Sequence, residues 1–122
     1  MTAQEISKAF VQHYYTTMAS NREGLMGLYG DESVLTLETS ECRGRNQIME
    51  KILALTYQKI QHDITSIDHQ MISSDSVLVV VTGRLKTDDD PPNSFTQTFV
   101  LRQGSGGIFI ANEVFRVILH NN

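Results

Sequence analysis

The sequence predicts an α+β fold, in which a curved, mainly antiparallel sheet wraps as a cone around helices from the N-terminal half. Three observations predict it. Apolar residues recur at three- and four-residue steps through the first half of the chain. In the second half the apolar period falls to two, over long β-branched and aromatic runs. Clusters of turn-forming residues at 73–75, 88–94 (DDDPPNS) and 104–107 (GSGG) separate those runs.

Residues 2–20 read as an amphipathic helix, because Ile6, Ala9, Phe10, Tyr14, Thr17 and Met18 fall on one stripe. Thr2 followed by Glu5 is a capping-box pattern, in which each side chain can satisfy a free amide at the helix start. A short helix is expected around 22–28. A third spans 45–53, with Ile48, Ile52 and Leu53 on its buried side and Gly44 ahead of it. Five strands follow from the period-two segments 34–39, 59–67, 77–85, 95–102 and 108–119. Gly83, alone in a β-branched run, marks a bulge or bend that would help the sheet curl. In the last strand the even positions carry Ile108, Ile110, Val114 and Ile118, and the odd ones Phe109, Phe115, Val117 and Leu119, so both faces call for burial. Three helices cover only one face of such a sheet, and the second face is expected to pack on another copy in a twofold homodimer.

With 122 residues, 40% of them apolar, the chain is sized for one core, and residues 1–122 are expected to form a single domain. A formal charge of −4 removes the electrostatic attraction on which nonspecific nucleic-acid binding depends, and favours a basic protein surface as partner. The one cysteine, Cys42, has no intrachain partner and reads as a loop cysteine in a reducing compartment. The first twenty residues lack the apolar core of a signal peptide, and no window approaches the ~18 apolar residues that cross a bilayer. His13, His62, His69 and His120 are widely spread, and in a regular strand His62 and His69 face opposite ways, so neither a metal site nor a cofactor is expected.

Two constellations could carry function. In a regular strand His62 and Asp68 share one face with Ile60 and Ile64, and a polar pair on an apolar face is a candidate acid–base site, with Tyr14 as a second group. That is the enzyme alternative: a small isomerase or dehydratase using the cavity of the cone. The other is a set of carboxylates at strand ends, Asp88, Asp89 and Asp90 before Pro91 and Pro92, and Glu38 after Leu37.

The segments FVQHYY (10–15), YQKIQHDIT (57–65), DHQ (68–70), GRLKTDDDP (83–91) and VFRVILHN (114–121) resemble the nuclear transport factor 2 family along nearly the whole chain. The resemblance implies the cone-like roll of that family, which is shared with cystatin-like folds. It also implies a non-enzymatic homodimer that binds the GDP-bound form of the small GTPase Ran, binds FxFG-repeat nucleoporins, and carries Ran into the nucleus. Such a protein would move between cytoplasm and nucleus and concentrate at nuclear pores. Position by position, Glu38, Asp88 and Asp90 correspond to rim carboxylates that meet basic residues of Ran. Leu37, Leu55, Tyr57, Ile60, His62 and Phe115 correspond to a pocket that receives an aromatic side chain of Ran. Ala3 and Ile6 lie at the position of the nucleoporin site. The family carries an aromatic residue where Ala3 stands here, and a larger aromatic where Leu37 stands.

Overall fold

The computed structural model describes residues 2–119, so His120 and the last two residues of the 114–121 segment lie outside it. Helix α1 (Ala3–Ser20) starts as the sequence dictates: the Thr2 side chain accepts from the Glu5 amide and the Glu5 carboxylate accepts from the Thr2 amide. Its stripe buries Ser7, Val11, Tyr14 and Tyr15. A 3₁₀ helix (Arg22–Leu28) then buries Leu25, and α2 (Gly44–Leu53) buries Ile48, Met49 and Ile52.

Six strands form one sheet where five were expected: β1 (Tyr29–Leu37), β2 (Ser40–Arg43), β3 (Ile60–Ser73), β4 (Ser76–Thr87), β5 (Asn93–Gly104) and β6 (Gly107–Ile118). The sheet order is β2-β1-β6-β5-β4-β3, antiparallel at every pairing except β1 with β6. The missed strand, β2, is four residues of polar sequence at the sheet edge, with no apolar alternation to announce it. Cys42 therefore lies in a strand and packs against the core, rather than in a loop. The starting point of β1 also lies before the predicted Val34. Its first turn is stitched to β6 by Ser33, whose hydroxyl donates to the Ile110 carbonyl and accepts from the Gly30 amide.

Two bulges decide which side chains point inward. In β3 the pairing runs Ile64 with Gly83 and then Ser66 with Thr82, leaving Thr65 unpaired. Gly83 is required there, because a Cβ built on it would lie 2.4 Å from the Asp63 carbonyl oxygen and 3.1 Å from Ile64 Cα. The bulge reverses the side-chain alternation. His62 opposes Leu85 and His69 opposes Val79, both on the inner face, whereas Asp68 opposes Val80 on the outer face. The expected opposition of His62 and His69 is thus overturned, as is the shared face of His62 and Asp68. In β6, Leu101 pairs with Ile110 and Val100 with Asn112, so Ala111 is extra. Beyond it Glu113, Phe115 and Val117 face inward and Val114 and Ile118 outward, which breaks the even and odd sides read from sequence.

The helices cover the inner face, where Phe95, Phe99, Leu101, Val79, Val81 and Ile110 are fully buried. The outer face carries Leu78 opposite Val100, and Val80 opposite Thr98, which in turn opposes Val114; Val114 and Ile118 are exposed. Replacing Gly83 with alanine forces the Asp63–Ile64 backbone away from β4. It is expected to lower stability by roughly 1–3 kcal/mol, the cost of overpacking, read from the midpoint of denaturant unfolding.

Candidate functional site

At one end of the sheet the strands splay from α1 and α2 and enclose a cavity of about 310 Å³. Each element supplies walls for a local reason. The C-terminal end of β1 ends on Leu37 and Glu38, with Glu38 turning the chain at a left-handed φ of 58° toward β2. Leu55 and Tyr57 come from the segment after α2, and Arg22 anchors that segment by donating to the Leu55 and Tyr57 carbonyls at 3.2 Å while its guanidinium lies 4.9 Å from the Tyr57 ring centre. Ile60 and His62 come from the start of β3, and Phe115 and Val117 from the end of β6. Leu37, Leu55, Tyr57, Ile60, His62 and Phe115 thus line a single cavity with Glu38 beside them. A wider groove of about 760 Å³ lies between α1 and the Arg84–Lys86 end of β4, but it is open to solvent and shares Ile60 and His62 with the cavity wall.

The three predicted rim carboxylates differ in what they touch. Glu38 accepts from the Val117 amide at 2.7 Å and its other oxygen lies 3.9 Å from Arg116 Nε. Asp88, also left-handed at φ 48°, accepts from the amides of Gln58 (3.0 Å) and Lys59 (2.9 Å). Asp90 is exposed and uses only its backbone, donating to the Thr87 carbonyl. Ala3 and Ile6 lie elsewhere, in a depression of about 110 Å³ that also takes Met71, 55% exposed, and Ile108, 39% exposed. Those two partners escaped sequence reading because Met71 falls beyond the predicted end of its strand and Ile108 was read only as one of the apolar residues of the last strand.

Sequence reading also missed the floor of the cavity. Glu113 is 2% exposed, and its carboxylate accepts from Tyr29 at 2.6 Å, Tyr14 at 2.8 Å and the Gln97 amide at 2.6 Å. Gln97 in turn accepts from Tyr15 at 2.6 Å. Burial raises the Glu113 pKa from its ordinary value, against the three donors that lower it. Burial, reinforced by the Glu113 charge, raises the phenols of Tyr14, Tyr15 and Tyr29 as well. No spacing signal marks Glu113; only the Ala111 bulge turns it inward.

His62 sits against Tyr15, with ring centres 4.4 Å apart, and burial lowers its pKa from 6.5 to about 4. Its Nδ1 is buried with no hydrogen-bond partner. The imidazole is therefore neutral near pH 7. No group of three or more potential metal ligands occurs among the described residues, and no helix among them is long and apolar enough to cross a membrane. A folded-state pKa below the unfolded value means that His62 contributes stability above about pH 6.5 that is lost as pH falls toward about 4. Glu113, raised instead, acts in the opposite sense as pH falls through its folded pKa. Urea unfolding near pH 7 and near pH 5 should therefore show a smaller acid-side loss of stability for His62→Phe than for the unsubstituted chain.

The family described as Nuclear transport factor 2 (NTF2) domain matches residues 6–117. A Caenorhabditis elegans protein named "Probable nuclear transport factor 2" is 44% identical over 126 residues, covering 98% of this chain and 95% of its own. An Emericella nidulans nuclear transport factor 2 is 44% identical over 118 residues, covering 94% of each chain. Among solved structures, nuclear transport factor 2 from Cryptosporidium parvum superposes with a TM-score of 0.90 at 41% identity, covering 94% of each chain.

Proposed function

Since the chain belongs to the nuclear transport factor 2 family, whose named members support a nuclear transport role, we propose that it is a non-enzymatic carrier of the small GTPase Ran. In this reading it binds GDP-bound Ran and FxFG-repeat nucleoporins and moves between cytoplasm and nucleus, concentrated at nuclear pores. The observation that carries the reading is the cavity: apolar walls from β1, β3, β6 and the segment after α2 meet with half-exposed Glu38 on the lining, and the exposed Asp88 and Asp90 follow the lining residue Thr87. An aromatic side chain of Ran would enter the cavity, and basic residues of Ran would meet the carboxylates. The energetics suit that division. Burying a phenylalanine contributes about 1.5–3 kcal/mol, whereas an exposed ion pair contributes roughly 0.2–1 kcal/mol. Against an association cost of at least about 4 kcal/mol, the surplus fits a reversible complex.

The geometry argues against the enzyme alternative. The β3 bulge separates His62 from Asp68, and both oxygens of the inward carboxylate, Glu113, are already bonded to phenols and an amide. A carboxylate general base needs a free lone pair directed at the substrate proton, and the His62 ring is left without the Asp68 carboxylate expected to pair with it. For the outer sheet face, the uncovered Leu78, Val80, Val100, Val114 and Ile118 support a twofold homodimer. The depression around Ala3 and Ile6 is the proposed nucleoporin site, shallow because Ala3 brings no ring to it.

Two measurements test the reading. In a pull-down with Ran loaded with GDP or with a GTP analogue, the chain should retain the GDP form preferentially, and Glu38→Lys should abolish retention; equal retention of both forms refutes it. Sedimentation equilibrium at micromolar concentration should give twice the chain mass, for the unsubstituted protein and for Glu38→Lys alike, and a purely monomeric species removes the dimer.

A further inference from the structure

The only two non-glycine residues with left-handed backbone among the described residues are both acidic, Glu38 and Asp88, and they directly follow the cavity-lining residues Leu37 and Thr87 at the ends of β1 and β4. Such conformations are disfavoured for ordinary side chains and persist where surroundings over-determine them. The surroundings here are the cavity walls. Glu38 donates its amide to the Phe115 carbonyl (3.0 Å) and accepts from the Val117 amide, so it grips both wall residues of β6. Asp88 donates its amide to the Lys59 carbonyl (3.0 Å) and accepts from the Gln58 and Lys59 amides, so it grips the stretch between wall residues Tyr57 and Ile60. These partners lie 29 and 30 residues away in sequence, which distinguishes the contact from a local aspartate turn. Lys86 closes the arrangement by donating to the Asp88 carbonyl at 2.6 Å.

We propose that Glu38 and Asp88 are positioning residues, reciprocal side-chain and backbone clasps that fix the width of the cavity mouth, so that they govern partner binding through wall geometry as well as through charge. The inference rests on the carrier reading for its consequence and on the free protein for its geometry. Asp90 is the natural control, two residues on and equally charged, with no side-chain hydrogen bond among the described residues. Two charges so close should attract a basic partner alike, yet only one holds a wall.

The test compares asparagine, alanine and glycine at position 88 with asparagine and alanine at position 90. Asparagine removes the charge, retains an acceptor oxygen and tolerates left-handed backbone. Alanine removes the acceptor, and glycine removes the acceptor while relieving the backbone strain. Titrating GDP-loaded Ran, Asp90→Asn and Asp90→Ala should weaken binding equally, with a reduced salt dependence. Asp88→Asn should resemble them, whereas Asp88→Ala and Asp88→Gly should each lose about a further tenfold, the order expected for removing one or two hydrogen bonds to a neutral acceptor. Equal losses for Asp88→Asn and Asp88→Ala, or recovery by Asp88→Gly, overturn the clasp. Amide hydrogen exchange of Gln58 and Lys59 in the free variants decides the same question without a partner: faster exchange in alanine and glycine than in asparagine supports it, and equal exchange in all three overturns it. If the unsubstituted chain fails to retain GDP-loaded Ran, the carrier reading falls, and the exchange measurement still decides the clasp.

Discussion

A single buried carboxylate ties the architecture together. Glu113, on the central strand β6, accepts from Tyr14 of α1, Tyr29 of β1 and Gln97 of β5, and Gln97 passes the bonding on to Tyr15. Helix, parallel strand pair and antiparallel body are therefore fastened at one point. A charge removed from water costs several kcal/mol unless its lone pairs are filled, and here the filling comes from three different segments that must all be in register at once. Loss of any one phenol would leave the others bonded but the carboxylate short of a donor, while loss of the carboxylate would strand three donors in the core. The network also shapes the cavity above it. Its polar atoms are largely engaged with one another, so the unpartnered Nδ1 of His62 is the buried polar atom of the lining left without a bond among the described residues.

That constraint explains why some of the fold was legible and some was not. The start of α1 could be read because Thr2 and Glu5 act within one helical turn, and the apolar stripe because helical period is fixed by local geometry. Long strands such as β4 announced themselves by β-branched runs. Facing direction is a different matter, since one inserted residue reverses every side chain after it. The β3 bulge left a trace in Gly83, whose missing Cβ lets the Asp63 carbonyl approach. The β6 bulge at Ala111 left none, and so Glu113 was hidden in a strand whose faces were assigned wrongly. Residues of the cavity wall were named through resemblance to the family and not through period or spacing, because Leu37, Leu55, Ile60 and Phe115 come from four chain segments that only the closed sheet brings together.

The state of His62 follows from the same economy of polar groups. Packed between Tyr15 and Phe95, with an unpartnered Nδ1, it has nothing to stabilise a positive charge, and burial keeps it neutral at physiological pH. A cationic ring there would have faced the acidic mouth and given the rim an internal partner. A neutral ring adds no charge to an opening where Arg116 stands beside Glu38 and Lys86 beside Asp88, in a chain at −4 overall.

The rim itself is not uniform, and this limits what charge alone can do. Asp88 and Glu38 have given oxygens to backbone amides, and each such bond draws on the lone pairs that a basic partner would otherwise use. Asp89 and Asp90 carry the exposed negative charge outward without that engagement. Exposed charges are screened over about 10 Å at moderate salt, so they act chiefly on encounter and on the choice among partners. In the carrier reading, holding a partner then falls to the apolar cavity, and a cavity holds only what fits its width. The width is set where the walls are fastened, at two left-handed turns whose side chains reach across to the neighbouring segment. In that reading, selection by charge falls mainly to Asp89 and Asp90, and retention by shape to the walls that Glu38 and Asp88 fasten.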